Sequence, residues 1–399
     1  MKTIYSLFIC LLLFFASTSV DSETDQNRQI KFPDIPGFIT LIADLHTHTV
    51  FSDGSVWPNI RVKEALKDGL DILAVTEHLE YRPHRSDIPF PDRNRSYELS
   101  VKYAEGSSLI VVNGAEITRT MPPGHANAIF ITDANKLTDE IVVEQFRQLM
   151  REGKKEEAGI LYRDSSVKLF EQAKKDGAFV FWNHPNWRGQ QSDGIADLNA
   201  FNKKLIKNGL IQGIEIANEH FYSEEAHRIA LKYNLTLIGV SDVHDLIDWD
   251  YLDHPDKHRP VTLIFAKSRS KNDIKEALFS GRTAVWFQNS LIGNESLTIP
   301  LLKSSIQIRS AKYIKNSSIL EVVVENVSDA EYLLLNKGKT GFYTHNDLLR
   351  IRPNSETSFS VTPGKMVSSV TMKFEAINLT TMPKTHPEFS LRIDVSDKN

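Results

Sequence analysis

The chain has 399 residues, of which 41% are hydrophobic and 25% are charged, and its formal net charge is -4. This composition is that of an ordinary globular protein, and the length is enough for two or three domains. Because there is no surplus of basic residues, neither nucleic acid nor an anionic membrane is an expected partner.

Residues 1–22 have the pattern of a secretory signal peptide. Lys2 gives a short positive start, Leu7–Phe15 form an apolar core, and small residues follow at positions 16–19. The apolar run is shorter than the ~20 residues needed to span a bilayer, so stable membrane insertion is not expected. Cys10 is the only cysteine and lies in this segment, so the mature chain has neither a thiolate ligand nor a disulfide. We expect an exported protein, periplasmic or secreted.

The polar residues 23–37 are predicted to form a linker, and residues 38–293 a domain in which apolar runs alternate with amphipathic ones. Strands are predicted at 41–45, 72–76, 109–115, 128–131, 179–182, 214–217, 237–240 and 261–265, and helices at 60–67, 167–175, 224–233 and 272–279. Strands that alternate with helices indicate a parallel α/β sheet or barrel. Residues 137–163 are highly charged and helical in composition. They are interpreted as an insertion, either a solvent-facing helix pair or a lid.

The composition changes after Gly293. Short alternating runs appear at 305–308, 319–324, 332–335, 357–361, 369–374 and 389–393, separated by Asn, Ser, Gly and Pro. This pattern is typical of an all-β sandwich of about 100 residues. We therefore predict a small β-sandwich domain over residues 294–399.

Candidate metal ligands stand where the predicted strands end. On a strand, His46 and His48 point to the same side because side chains alternate between faces, and Asp242 and His244 repeat that spacing. Carboxylates and imidazoles also follow the other strands, and buried charges are costly unless they are paired or bound to metal. We therefore predict one shared metal site. Its ligands are His46, His48, Asp53, His78, Glu116, His125, His184, Asp242 and His244.

The predicted ligands include imidazole and carboxylate but no sulfur. Such a set suits Zn²⁺, Mn²⁺ or Fe²⁺ better than a structural zinc site built from cysteines. The candidates exceed what one ion takes, so we expect two or three divalent ions with a bridging carboxylate and a bridging hydroxide. Such clusters provide hydroxide near neutral pH and clamp the attacking and leaving oxygens of a phosphoryl group.

The segments DLHTHTVFSDG, TEH, NGAE, GH, NHP and SDVH occur in this order over about residues 40–290. They resemble the PHP (polymerase and histidinol phosphatase) superfamily of metal-dependent phosphoesterases. The resemblance implies a distorted (β/α)7 barrel with a trinuclear site at the strand ends. It implies a first metal bound by His46, His48, Glu116 and Asp242, a second by Glu116, His125 and His184, and a third by Asp53, His78 and His244. The exported two-domain layout is most similar to a bacterial phosphodiesterase-type subgroup.

Several other residues are candidates for supporting roles. A leaving alkoxide needs a proton, and the candidate general acids are His220, His227, His254 and His258. Arg188 is the main candidate for gripping a phosphate oxygen, with Arg119 and Arg259 as further cations, and Trp187 is a candidate for lining a substrate pocket. Glu215 and Glu77 are predicted to orient ligand histidines from behind, and the role of Glu219 stays open.

The sequence therefore predicts a phosphoester hydrolase that uses a metal-bridging hydroxide on a small-molecule substrate, with a phosphodiesterase favoured. One alternative is a phosphomonoesterase acting on small phosphorylated metabolites, whose dianionic substrate needs more positive charge. The other is a non-catalytic, metal-containing binding protein in which the β domain captures a glycan or a partner. A nuclease is not expected, because no lysine and arginine stripe is interleaved with aromatic residues.

Overall fold

The computed structural model describes residues 29–253, 258–344 and 346–396. The predicted signal peptide and His254 lie outside these residues. In the described part of the chain, no helix has the length and apolar character required to cross a membrane.

The first domain contains eleven strands and most of the helices. The strands are β1 (Ile39–Asp44), β2 (Ile72–Val75), β3 (Ile110–Ile117), β4 (Ala126–Ile129), β5 (Phe179–Trp182), β6 (Gly213–Asn218), β7 (Phe221–Tyr222), β8 (Thr236–Val240), β9 (Val261–Ala266), β10 (Thr283–Phe287) and β11 (Ser290–Gly293). The helices are α1 (Pro58–Asp68), α2 (Arg95–Ala104), α3 (Glu140–Arg151), α4 (Lys155–Lys175), α5 (Ala200–Lys207), α6 (Glu224–Tyr233), α7 (Ile247–Tyr251), α8 (Lys271–Phe279) and α9 (Glu295–Ser305). Short 3₁₀ turns lie at Pro83–Ser86 and Ala134–Leu137.

The strands β1, β2, β3, β4, β5, β6 and β8 curve into a distorted barrel. The pairs β1–β2, β2–β3, β5–β6 and β6–β8 are parallel, whereas β4 runs antiparallel between β3 and β5. The barrel closes just beyond β1 and β8, where Thr47 bridges Val243 and the amide of Asp242 donates to the carbonyl of His46 (3.0 Å). The predicted distorted barrel is confirmed, and the reversed β4 is one source of its distortion.

Strands β9, β10 and β11 extend the sheet outside the barrel. β9 runs antiparallel to β1, and β10 and β11 follow it as further antiparallel neighbours. All residues of β2, β5, β8, β9 and β10 are buried, which explains their continuous apolar sequences.

The connection from β1 to β2 contains α1, and local sequence determines where this helix begins and ends. Helix α1 begins at Pro58, whose fixed φ suits the first helical turn, and it ends at Asp68, which is followed by Gly69 with φ 76°. The Gly69 amide bonds to the carbonyl of Leu66, and a side chain there would press on the backbone of Gln29. The left-handed turn therefore favours glycine.

The charged segment predicted as an insertion forms α3 and the first half of α4. Its helices pack through stacked rings of Phe146 and Tyr162, whose centroids are 3.5 Å apart. Within α3 only Val143 is buried, so this helix presents most of its surface to solvent.

The second domain is a β-sandwich. Its strands are β12 (Ile306–Tyr313), β13 (Leu320–Asn326), β14 (Tyr332–Asn336), β15 (Gly341–Phe342), β16 (Leu348–Ile351), β17 (Ser355–Thr362), β18 (Ser369–Ala376), β19 (Leu379–Thr380) and β20 (Glu388–Asp394). Two four-stranded sheets form, in the orders β12-β13-β17-β15 and β16-β14-β18-β20. Alternate residues of β18 are buried, as expected for strands that cover a core on one face. The predicted sandwich is confirmed, and α9 lies between its first strand and β11.

The two domains share a sheet and a core. The short strand β19 pairs in parallel with β11, matching Leu291 to Leu379 and Ile292 to Thr380. One continuous hydrophobic cluster includes Leu263 of β9 and Leu334 of β14. The sandwich is therefore packed against the barrel as a structural continuation of it.

Residues 29–37, which were predicted to be part of a linker, lie against the first domain. Ile30 and Ile35 are buried, and the Ile30 amide donates to the carbonyl of Asp68 at 2.8 Å. This segment covers the end of α1.

Candidate metal centre

The ends of the barrel strands bring all nine predicted ligands into one cluster. His46 and His48 follow β1, His78 follows β2, Glu116 lies in β3, and His125 precedes β4. The remaining ligands come from the segments after β5 and β8 and from the turn before α1, and they are His184, Asp242, His244 and Asp53. Convergence at the carboxyl ends of barrel strands is the geometry that places active sites in related folds.

The first group of ligands surrounds Asp242. Its Oδ1 lies 3.0 Å from His46 Nε2 and 3.1 Å from His48 Nε2. The same two imidazole nitrogens are 2.9 Å apart and each is 3.5 Å from Glu116 Oε2. These four side chains are the set that the resemblance implies for the first metal.

The second group of ligands surrounds Asp53. Its Oδ1 is 3.3 Å from His244 Nε2 and 3.8 Å from His48 Nδ1, while its Oδ2 is 3.4 Å from His78 Nε2. One ligand atom from each of these four residues lies within 4.8 Å of every other. The resemblance implies Asp53, His78 and His244 as ligands of the third metal, and the structure adds His48 to that group.

Glu116 joins the groups to one another. Its Oε1 lies 2.8 Å from His125 Nδ1 and 3.6 Å from His184 Nε2, and its Oε2 lies 2.7 Å from His78 Nδ1. His184 Nε2 is also 3.8 Å from Asp242 Oδ2. Glu116 therefore has the position expected of a bridging carboxylate, with the ligands implied for the second metal around its Oε1.

The buried carboxylates fit divalent cations. Asp53 Oδ1, Glu116 Oε2 and Asp242 Oδ1 are buried and accept no hydrogen bond from the described residues, although each lies beside imidazole nitrogens. Buried charges are costly unless they are paired, and metal cations at these atoms would pair with all three carboxylates. Oxygen and imidazole donors without thiolate suit first-row divalent metals.

Without metal, the histidines of the cluster differ in pKa. Burial lowers the pKa of His46, but Asp242, Glu215 and Glu116 outweigh it and hold that pKa well above its usual value. Burial, together with His244 and His78, lowers the pKa of His48 to about 3. Adjacent imidazoles thus share the few protons that the carboxylates can stabilise.

Glu215 in β6 supports two ligands from behind, as predicted. One oxygen lies 2.8 Å from His46 Nδ1, and the other accepts the backbone amide of His184 at 2.6 Å. Asn218 bonds both Glu215 (2.9 Å) and Asp242 (3.3 Å). A carboxylate on the far nitrogen of an imidazole fixes its tautomer and orientation toward a metal.

Within the described residues, Glu77 contacts hydroxyl groups and not, as was predicted, a ligand histidine. Its oxygens accept hydrogen bonds from the hydroxyls of Thr49 (2.5 Å), Ser52 (2.5 Å) and Ser96 (2.6 Å). Ser52 in turn lies 3.2 Å from His48 Nδ1. Glu77 therefore acts on His48 indirectly, through Ser52, by holding the loop after β1.

Asn183 is a supporting residue that the sequence analysis missed. Its amide donates to Glu116 Oε1 at 3.0 Å, and its carbonyl oxygen accepts the amide of Asn127. The sequence feature that could have identified Asn183 is its position directly before His184 and directly after β5. Asn183 positions Glu116, the carboxylate that joins the three groups of ligands.

The candidate general acids differ in position. His220 follows β6, and its ring centroid is 5.0 Å from that of Tyr251. His227 is fully buried in α6, where its Nδ1 contacts the Tyr222 hydroxyl at 2.8 Å, and burial and Arg228 lower its pKa to about 4. The contacts of His227 within the described residues do not bring it to the metal cluster. His258 stacks on Trp286 at 3.5 Å.

The candidate phosphate-binding arginines differ in how far they are exposed to solvent. Arg259 is fully buried between Asp44 (2.9 Å) and Asp68 (2.7 Å), and Arg119 is buried in an ion pair with Glu80. Their interpretation as phosphate contacts is wrong, because both guanidiniums are enclosed by protein and neutralised by carboxylates. Arg188 is exposed in the loop after His184.

Trp187 stands beside the cluster. Its ring centroid is 5.6 Å from that of His125 and 5.5 Å from that of His184, and half of its surface is exposed. It therefore lines the approach to the ligands, in agreement with its predicted place.

A solved structure that covers both domains is similar to this chain. It is a two-domain protein containing a predicted PHP-like metal-dependent phosphoesterase from Bacteroides vulgatus ATCC 8482; it is 35% identical, covers 92% of this chain and 99% of its own, and has a TM-score of 0.79. A protein assigned as a metal-dependent phosphoesterase from Bifidobacterium adolescentis ATCC 15703 is 20% identical over 51% of this chain and 88% of its own, with a TM-score of 0.36. An Ig-like domain family matches residues 306–392, and no curated protein matches the chain.

Proposed function

Since the chain belongs to the PHP-like metal-dependent phosphoesterases, and so is a hydrolase of phosphoric esters, we propose that it is an exported phosphodiesterase. The observation that carries this proposal is the convergence of nine imidazole and carboxylate ligands, and a second observation is that Arg119 and Arg259 are engaged in buried ion pairs. The convergence of ligands supports phosphoester hydrolysis, and the ion-paired arginines support a substrate of low charge.

The proposed metal content is two or three divalent ions of zinc, manganese or iron. The three groups of ligands around Asp242, Asp53 and Glu116 support this number. Bound ions of this kind supply hydroxide near neutral pH and neutralise charge on phosphoryl oxygens.

The protein's own residues orient the ligands and handle the leaving group. Glu215 and Asn183 hold the ligand side chains in place. In hydrolysis, the water oxygen forms a bond to phosphorus, the bond from phosphorus to one alcohol oxygen breaks, and that oxygen takes up a proton. We assign the proton donor to His220, which follows Asn218 by two residues, and a contact to a phosphoryl oxygen to Arg188.

A diester is favoured over a monoester by the supply of positive charge. A monoester dianion carries one more negative charge than a diester and needs additional cations around its terminal oxygens. Arg119 and Arg259 are neutralised by Glu80, Asp44 and Asp68. Arg188 is exposed to solvent, unlike Arg119 and Arg259, and so is available to the substrate.

A direct test compares two small substrates with one leaving group. The mature chain, loaded in turn with Zn²⁺ and Mn²⁺, is assayed on methyl p-nitrophenyl phosphate and on p-nitrophenyl phosphate, and its metal content is measured. We expect a higher kcat/KM for the diester. A preference for the monoester would contradict the proposal, and no hydrolysis of either compound with metal bound would instead favour the binding-protein alternative.

The ligand assignment predicts the effect of single substitutions. Asp242→Asn and His46→Ala should each lower kcat by more than about 100-fold, because even residues behind metal ligands cost 10–100-fold. Circular dichroism and metal analysis check that the fold is retained and that metal is lost. Asp248→Asn on α7 is the control, and near-normal activity in either ligand variant would refute the assignment.

Export is supported by the pattern of residues 1–22 and is tested separately. The full-length chain is expressed in a bacterium with a periplasm, and the recovered protein is sequenced from its N-terminus. We expect a mature start near residue 23 in the periplasmic or secreted fraction. An uncleaved chain in the cytoplasm would contradict this part of the proposal.

A further inference from the structure

A cavity opens where the barrel meets the β-sandwich. It has a volume of about 340 Å³, and its lining includes Phe221, Tyr222, Phe287, Gln288, Ser290 and Thr380. Volumes of this order are typical of small-molecule pockets. Both domains contribute, because Thr380 lies in β19 and the others lie in the barrel domain.

The strand register places this cavity next to the metal centre. Phe221 in β7 is the cross-strand partner of Asn218 in β6, and directly paired residues of antiparallel strands have Cα atoms about 5 Å apart. Asn218 donates a hydrogen bond to the metal ligand Asp242 at 3.3 Å. His220, another lining residue, follows Asn218 by two positions. The cavity wall is therefore one strand pairing away from a residue that contacts Asp242, a separation that a small diester can span.

The walls of the cavity are held by the junction of the domains. Ile292 and Thr380 are paired between β11 and β19. The turn between β10 and β11 is fixed by Asn378, whose amide donates to the carbonyls of Asn289 (3.0 Å) and Glu331 (2.6 Å). This arrangement forms the cavity from ordered strands of both domains.

The residues that line the cavity favour a neutral ligand that carries hydroxyl groups. None of the described lining residues is an aspartate, glutamate, lysine or arginine, and His220 is the one of them that can carry a positive charge, so a second phosphate would find little counter-charge. Phe221 leaves 62% of its surface exposed and offers an open aromatic face, while Gln288, Ser290 and Thr380 offer amide and hydroxyl groups. A purely apolar ligand would leave those groups unpaired, which is costly.

We propose that this cavity binds a sugar or polyol ring, the alcohol group of the diester substrate, while its phosphate lies at the metal centre. The proposal rests on the phosphodiesterase function proposed above. It gives the β-sandwich a direct part in substrate selection through Thr380.

Binding is tested without turnover. Saturation-transfer NMR is recorded on the full mature chain with methyl glucoside, methyl mannoside, methyl galactoside and p-cresol. We expect signal from at least one glycoside, and its loss in Phe221→Ala. Tyr343→Ala, an exposed aromatic residue that does not line the cavity, is the matched control. Binding of p-cresol alone, or of none of the four, would overturn the proposal.

A kinetic experiment then tests whether the cavity contacts the substrate. The metal-loaded chain is assayed on the p-nitrophenyl phosphodiester of glucose and on methyl p-nitrophenyl phosphate. Phe221→Ala and Thr380→Val should raise KM for the glucose diester about three- to tenfold with little change in kcat, and leave both constants for the methyl diester unchanged. Equal shifts for the two substrates, or none in either variant, would refute a sugar-binding role.

These two experiments distinguish failure of the cavity proposal from failure of the enzymatic one. If the chain binds a glycoside through Phe221 but hydrolyses neither diester, the phosphodiesterase function fails and the binding site stands. If it hydrolyses both diesters and shows neither glycoside binding nor a selective KM effect, the function stands and the sugar site fails.

Discussion

Glu215 shows how one buried side chain organises several others. It lies in the middle of β6, is 1% exposed, and contacts the imidazole of His46 and the backbone of His184. These two ligands come from different strands. Their relative position therefore depends on a carboxylate that does not itself contact the ligand atoms facing the metals.

Replacing Glu215 with glutamine tests this role. The variant keeps the size of the side chain but weakens its pull on the His46 proton, so we expect metal affinity to fall by about 10–100-fold. Isothermal titration with Zn²⁺ measures the loss, and Glu225→Gln on the exposed face of α6 is the control. Unchanged affinity in Glu215→Gln would show that the contact serves folding alone.

The convergence of the candidate ligands could be predicted from the sequence far better than their surroundings. Residues such as His46 and Asp242 stand within two residues of the end of an apolar strand, where a charged or polar group is unusual. The burial of Arg259 could not be predicted, since its partners Asp44 and Asp68 are distant in sequence. Whether a cation faces a substrate or a buried carboxylate is decided by tertiary contacts.

At the scale of elements, a buried ion pair ties the long helices to the barrel. Glu80 accepts the amide of Thr118 at 2.7 Å and pairs with Arg119, and the Arg119 guanidinium lies 4.3 Å from the ring centroid of Tyr162 in α4. Burial raises the pKa of Glu80 even though Arg119 opposes it. Thr118 also contacts His78 Nδ1 at 2.7 Å, so the pair lies next to a predicted ligand.

Removing one member of this pair should be severely destabilising. Arg119→Ala leaves the Glu80 carboxylate buried without a counter-charge, and we expect a loss of about 3–5 kcal/mol in the free energy of unfolding. Urea denaturation measures it, and Glu80→Gln in the same chain should restore part of the loss. Arg95→Ala, at an exposed ion pair with Glu98, should change little. A small effect of Arg119→Ala would contradict an enclosed pair.

The helical prediction for the charged segment, made from its composition, is confirmed. The charged residues 137–163 were predicted to be helical and contain α3 and the start of α4. The short strand β19 was missed because two residues, Leu379 and Thr380, carry no periodic signal, and their pairing with β11 depends on the docking of the domains. The helix α9 was also missed at the predicted start of the sandwich, because Pro300 inside it disfavours a helical interpretation.

On the scale of the whole molecule, the barrel and the sandwich form one packed body. Their apolar residues join in a single cluster that includes Trp286 of β10, Leu301 of α9 and Tyr332 of β14. Separating the domains would expose these side chains to water, at a cost of about 25 cal/mol for each Å² of apolar surface.

The shared core predicts cooperative unfolding. Differential scanning calorimetry of the full mature chain should show one transition, and Asn378→Ala should lower its midpoint because the variant loses hydrogen bonds that join the domains. Deletion after about residue 294 should lower solubility by uncovering the same surface. Two well-separated transitions, one of them unaffected by Asn378→Ala, would show that the domains are thermodynamically independent.

The pairing of β19 with β11 also affects the order of events during synthesis. Leu379 and Thr380 leave the ribosome long after Ser290–Gly293, so β11 has no partner on one side while most of the sandwich is being made. An open strand edge invites association with other chains. The nascent polypeptide thus passes through an interval in which a chaperone that shields strand edges would increase the yield of native protein.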